Sequence, residues 1–274
     1  MRTLKDAIYG LAAGDALGLP VQFRRRDTYY VDKMIGYGTF HMPKGSWSDD
    51  TSLAIASCDS IRRCEGSVNL KDIRRSFEDW YRNGAYTPFG RAYDIGGTCE
   101  RAILTGKGLD DERSNGNGSL MRILPLAFVE GITDEEIAEV SAVTHAHARS
   151  QEGCILYIRI AKELLAGKGL KESILKVIPE NSIYSRIRAI DQLPREEIRS
   201  TGYVVDTFEA AIWCLLTTDN FRDCIVKAVN LGDDTDTVGA VAGGLAGILY
   251  GYDGIPSEWI EALQAKDVIE SCLF

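Results

Sequence analysis

The stretch Gly232-Asp233-Asp234-Thr235-Asp236-Thr237-Val238, continued by an apolar run to Tyr250 with glycine at positions 239, 243, 247 and 251, decides how this chain is read. Glycine every fourth residue lines one side of an α-helix, and a second series stands near the start at Gly10, Gly14 and Gly18. A helical glycine costs about 1 kcal/mol relative to alanine. Two such ridges need a packing reason, and close approach of a neighbouring helix supplies one. The membrane-dimer reading of the same spacing is poor, because the run is short and its flanks are acidic.

Helical periodicity extends outward from these ridges. Leu4, Ile8 and Leu11 share a face with Asp15, and residues 137–144, 154–166, 207–216 and 221–229 read as further helices. Sustained strand alternation is missing, so the expected fold class is all-α. Turn residues gather at 24–47, 94–98, 106–119 and 231–234. No Pro- or Ser-rich linker or fixed-period repeat divides the chain, and 45% hydrophobic content suffices for one sizeable core, so residues 1–274 are expected to form one domain.

Charge and cysteine usage narrow the function. A formal net charge of −9 with no basic stripe argues against nucleic acid and anionic membrane as partners. Seven cysteines without a CxxC pair read as reduced thiols, and the first residues lack the apolar core of a signal peptide. The expected compartment is the cytoplasm.

Two acidic clusters meet helix starts. In Ser46-Trp47-Ser48-Asp49-Asp50-Thr51, the plain account is that Ser48 caps a helix while Asp49 and Asp50 complement its dipole. In 232–237, capping needs one oxygen, whereas three acids and two hydroxyls would repel one another unless cations were present. Metal ligation is the better reading there, and oxygen-only donors favour Mg²⁺ or Mn²⁺ over Zn²⁺, with two clusters suggesting two ions. Asp234-Thr235-Asp236-Thr237-Val238 also fits a haloacid-dehalogenase-type phosphatase motif, but that motif should end a buried strand and here follows a helix. Asp15, on an apolar helix face, must meet a donor or a cation.

Four further features carry weaker signals. The small polar loop 113–122, containing Ser114, Gly116, Asn117 and Gly118 and expected to run into an apolar helix, offers backbone N–H groups to a diphosphate. Thr144-His145-Ala146-His147 lacks the partners of a zinc site, so His145 is expected to hydrogen-bond substrate or backbone and His147 to be exposed. Asp94, at a glycine turn, suits an Asx-turn or proton transfer. Tyr203 and Trp213 could stack on a base or ribose, though aromatic residues at helical spacing usually belong to the core. The charged segment 180–200 reads as a solvated helix.

Taken in order, 10–20, 47–51, 94–98, 115–122, Thr144-His145, 202–207 and 232–237 together resemble the ADP-ribosylglycohydrolase family over almost the whole chain. The resemblance implies a compact orthogonal helical bundle and hydrolysis of a glycosidic bond to ADP-ribose beside a binuclear Mg²⁺ or Mn²⁺ site. Carried over, Ser48, Asp49, Asp50, Asp234, Asp236 and Thr237 would hold the ions. Ser114, Gly116, Asn117, Gly118, His145 and Tyr203 would lie along the ADP-ribose, with Asp94, Gln22 and Asp49 at the reacting end. The implied partners are an ADP-ribosylated protein or small molecule and the ADP-ribose product. One position departs from the pattern: Gln22 stands where the family commonly has Glu, and a carboxamide cannot take a proton. Asp94 or Asp233 would then manage protons, the bond cleaved would differ, or the chain would only bind ADP-ribose.

Overall fold

The computed structural model describes residues 2–274, which form twelve α-helices joined by loops and 3₁₀ turns. No strand occurs among them; two isolated bridges, Leu109 to His145 and Gly116 to Tyr203, are the only ladder-type pairings. The all-α expectation holds.

Helix α1 (Leu4–Gly18) opens with a reciprocal cap: the Thr3 hydroxyl accepts from Asp6 N, and Asp6 accepts from Thr3 N at 2.6 Å. Helix α10 (Thr235–Tyr250) ends where Gly251 adopts a φ of 80°. These two helices lie antiparallel and pack more extensively than any other pair. The glycine ridges explain how. A Cβ built on Gly14 would stand 2.0 Å from the Gly239 carbonyl oxygen, and one on Gly10 would stand 2.3 Å from that of Gly243. Backbone therefore meets backbone along the seam, which is the close approach the spacing predicts. At its end the Thr235 hydroxyl donates to the Gly18 carbonyl at 2.9 Å.

Around this pair stand α2 (Asp49–Arg63), α8 (Val204–Leu216) and α9 (Phe221–Val229), so α10 is buried from Thr235 to Ile248. Helix α3 (Leu70–Asn83) packs on α2 and the short α4 (Gly97–Thr105) on α3, while α5 (Asp134–Ala142) packs on α6 (Ala148–Leu165). Helix α7 (Leu170–Val177) and the terminal α11 (Ser257–Ala262) and α12 (Lys266–Cys272) complete the set. All seven cysteines are unbridged and six are buried.

Several local expectations are corrected. Loop 113–122 runs into 3₁₀ turns, Leu120–Arg122 and Leu124–Phe128, because Pro125 lacks the N–H that a continuing helix would need. Segment 180–200 is no solvated helix: Tyr184, Ile187 and Ile190 are buried and anchor 3₁₀ turns, with Arg186 paired to Glu209 at 2.6 Å. His147 is not exposed but caps α6, its Nδ1 accepting from Arg149 N at 3.2 Å. Trp213 is a core residue whose indole N–H donates to the Leu193 carbonyl.

Candidate active site

The seam places the C-terminal half of α1 beside the N-terminus of α10, and α2 begins against both. Ser48 caps α2, its hydroxyl accepting from Asp50 N at 3.3 Å and donating to Asp50 Oδ2 at 2.9 Å. Three further donors at that terminus go to Asp15. Its carboxylate accepts from Ser48 N at 2.9 Å, from Thr51 N at 3.1 Å and from the Thr51 hydroxyl at 2.6 Å. Asp15 thereby orients α2, Asp50 meets Thr237 of α10, and Asp49 lines the cavity near Asp94.

From α10, Thr237 donates to Asp50 Oδ2 at 3.4 Å or to Asp234 Oδ1 at 3.3 Å, while Asp236 Oδ1 accepts from Thr237 N. Asp234 also accepts from Gln22 at 3.3 Å and from Asn117 at 2.7 Å. Oxygens of Asp15, Asp50 and Asp236 lie within 4.8 Å of one another. Of these three, Asp15 is committed to hydrogen bonds, whereas Asp50 Oδ1 and Asp236 Oδ2 are buried without a partner. None of Asp15, Asp49, Asp50, Asp94, Asp234 or Asp236 pairs with a basic side chain among the described residues.

Burying uncompensated carboxylates costs several kcal/mol each. Burial, and then mutual repulsion, pushes Asp49, Asp50 and Asp236 well above the usual carboxylate range. Burial alone is the largest influence on Asp15, pushed up to about 7, and on Asp94, pushed up to about 6. An all-oxygen donor set with orphaned buried carboxylate oxygens and no internal counter-charge fits a hard divalent cation.

The cluster opens into a cavity of about 230 Å³. Gln22, Asp49, Asp94, Asp234 and Thr237 form its acidic wall, with Ser48, Asp50 and Asp236 lying behind. Asp94 enters from a left-handed turn, φ 55°, with one buried oxygen unpartnered. Gly116, Asn117, Gly118 and His145 also line the cavity. His145 is held neutral, pushed down to about 3 by burial and then by the charge of Arg122.

Three expected residues are not brought into the cavity. Ser114 is tied to Asp111, its hydroxyl donating at 2.8 Å. Tyr203 contributes only its backbone, beside Gly116, and its ring does not line the space. Asp233 is exposed and uses its carbonyl to receive Phe23 N at 2.6 Å.

The structure adds residues that the sequence reading missed. Gly96, Gly97, Thr98 and Cys99 line the cavity with the start of α4, whose first N–H groups have no side-chain cap. The Gly-Gly-Thr run ahead of an apolar helix was the available signal. Phe23, 67% exposed and with φ 64°, stands at the rim and leads to Phe40 and Tyr93 through ring contacts of 6.3 and 6.2 Å.

Helices alone, with acidic side chains gathered from two helix N-termini onto one cleft, define a class of all-α enzymes that work on a polar substrate from the ends of their helices. Comparison with known proteins identifies which. The ADP-ribosylglycohydrolase family model matches residues 2–273, and the chain belongs to that family. It is 34% identical to the ADP-ribosylarginine hydrolase Tri1 of Serratia proteamaculans (strain 568), over 97% of this chain and 76% of that protein. It is 33% identical to the ADP-ribosyl-[dinitrogen reductase] glycohydrolase of Rhodospirillum rubrum, over 95% and 90%. A solved structure of an ADP-ribosylglycohydrolase-related protein complex superposes with a TM-score of 0.81 at 31% identity, covering 97% of this chain and 93% of that one.

Proposed function

We propose that this protein hydrolyses the glycosidic bond between ADP-ribose and an acceptor side chain, arginine in the first place, with divalent cations held by Asp49, Asp50, Asp234, Asp236, Thr237 and Ser48. The observation that carries this reading is the pair of orphaned carboxylate oxygens, on Asp50 and Asp236, buried directly behind the cavity wall. Bound Mg²⁺ or Mn²⁺ would supply Lewis acidity and would orient ribose hydroxyls and a water.

The chain's own residues do the rest. Asn117 donates to both Asp234 and Thr207, fixing the Asp234 carboxylate in place. The uncapped start of α4 and the loop 116–118 with His145 face the same space and present donors to a diphosphate. Asp94 is the group placed to move a proton at the scissile bond, because Gln22 cannot and Asp233 faces solvent. The aromatic rim at Phe23 supports arginine as acceptor, since a guanidinium stacks on such a face beside an acidic wall. The names of the two relatives above point the same way.

The test is release of free ADP-ribose from ADP-ribosylarginine and ADP-ribosylserine substrates with added Mg²⁺ or Mn²⁺. Wild type is expected to release it from the arginine substrate, and Asp234→Ala to lose activity by at least about 100-fold. Release by Gln22→Glu alone, with none from wild type, would turn the reading toward an ADP-ribose-binding protein.

A further inference from the structure

Arg122 enters the account above only as a charge near His145, yet it is wholly buried and no carboxylate pairs with it among the described residues. Its guanidinium lies over the Phe77 ring, 4.5 Å from the centroid. Nη2 donates to the Val140 carbonyl at 3.3 Å or to the Thr144 hydroxyl at 2.8 Å, while Nε and Nη1 have no partner. The same Thr144 Oγ1 stands 2.9 Å from His145 Nδ1.

The direction of this chain of contacts follows from what each group can do. Guanidinium only donates, so Thr144 accepts from Arg122 and keeps its single proton for another acceptor. That proton has two acceptors in reach, His145 Nδ1 and the neighbouring Cys99 thiol, and a thiol is a weak acceptor beside an imidazole nitrogen. With Nδ1 accepting, a neutral His145 carries its proton on Nε2. That atom faces the glycine loop: a Cβ on Gly118 would lie 3.3 Å from it and one on Gly116 3.6 Å. The ring is also held in place, since the same Cβ on Gly118 would meet His145 Cε1 at 2.7 Å.

We infer that Arg122 is a positioning residue: acting through Thr144, it holds His145 as the tautomer that donates Nε2–H into the cavity. The other tautomer would present a lone pair there and repel an anion. What the donor meets, a diphosphate oxygen, rests on the proposed function; the tautomer does not. The buried positive charge also opposes a second proton on the ring, so the donor stays neutral.

Ring nitrogen NMR on the ¹⁵N-labelled, ligand-free protein tests this, with only His41 and His147 to be told apart from His145. Wild type is expected to show His145 protonated at Nε2. Thr144→Val should shift it toward a mixture of tautomers, Thr144→Ser should restore it, and Arg122→Met should behave as Thr144→Val. Should Arg122→Met fail to fold, the two Thr144 variants decide the matter. In turnover, Thr144→Val should raise KM about tenfold with kcat within about twofold, which corresponds to ~1.4 kcal/mol of binding. Protonation at Nδ1 in wild type, or an unchanged tautomer in Thr144→Val, overturns the relay. Because the ring measurement needs no substrate, it supports or overturns the relay whatever the release assay reports.

Discussion

Gln22 is the residue whose substitution bears most directly on the proposed chemistry. Its amide donates to Asp234 while its own carbonyl oxygen is buried without a partner. Glutamate there would replace a hydrogen bond by repulsion between carboxylates. Gln22→Glu is therefore expected to destabilise the metal-free protein by about 1–3 kcal/mol in urea denaturation, with Mg²⁺ or Mn²⁺ reversing the loss. An equal midpoint for both proteins without metal would remove the argument. Asp94→Asn keeps shape and hydrogen bonding but cannot carry a proton; kcat should fall by roughly 100-fold or more while ADP-ribose binding, followed by calorimetry, persists. The acidic half of the site was legible in the sequence, since crowded carboxylates at a helix start ask for a cation. The rest of the lining was less so. Arg122 sits in an apolar run, Leu120 to Leu124, where no local signal says whether the head group finds solvent or a hydroxyl, and Tyr203 and Ser114 failed for the complementary reason. Backbone beside the cavity does not send its side chain there.

At the scale of elements, the seam between α1 and α10 was the most legible feature, because glycine at every fourth position has no other economical explanation in a short helix with acidic flanks. It predicts a sharp asymmetry among glycine substitutions. Gly14→Ala would press a methyl to 2.0 Å from a backbone carbonyl and should cost at least the ~1–3 kcal/mol typical of overpacking, lowering the denaturation midpoint and perturbing the site at the end of the seam. Gly97→Ala, with nothing within 4 Å, should leave the midpoint unchanged. Equal stability of the two variants would mean that the seam adapts. Helix boundaries were less legible than helix existence. Helix α10 begins at Thr235, three residues before its apolar run, because Thr235, Asp236 and Thr237 already have helical backbone. The 3₁₀ turns at 120–128 and 185–192 escaped because hydrophobic spacing alone does not distinguish them from α-helix.

For the molecule as a whole, protons and a divalent cation would compete for one cluster of neighbouring carboxylates. Asp15 and Asp94 have folded-state values near 7 and 6, above the ordinary 3.8. Their contribution to stability is therefore present below about pH 4 and is lost as pH rises through 6 to 7. A bound divalent cation favours the ionised form and should restore what is lost. Saturating Mg²⁺ or Mn²⁺ is expected to raise Tm strongly at pH 8 and little at pH 5, read by differential scanning fluorimetry; equal shifts at both pH values would contradict this. No helix of the described residues is long and apolar enough to cross a membrane. The seam also has a bearing on synthesis. Its two helices come from opposite ends of the chain, and their glycines give up more backbone freedom than other residues on becoming helical. Neither helix has reason to persist alone, so their meeting is a contact of long sequence separation, among the slower ones to form. A nascent chain emerging from the ribosome holds Asp15, Asp49 and Asp50 long before Asp234 exists. Catalytic competence thus arrives only when nearly the last helices are made, and a chain truncated before α10 would carry half of the acidic cluster with nothing to close it.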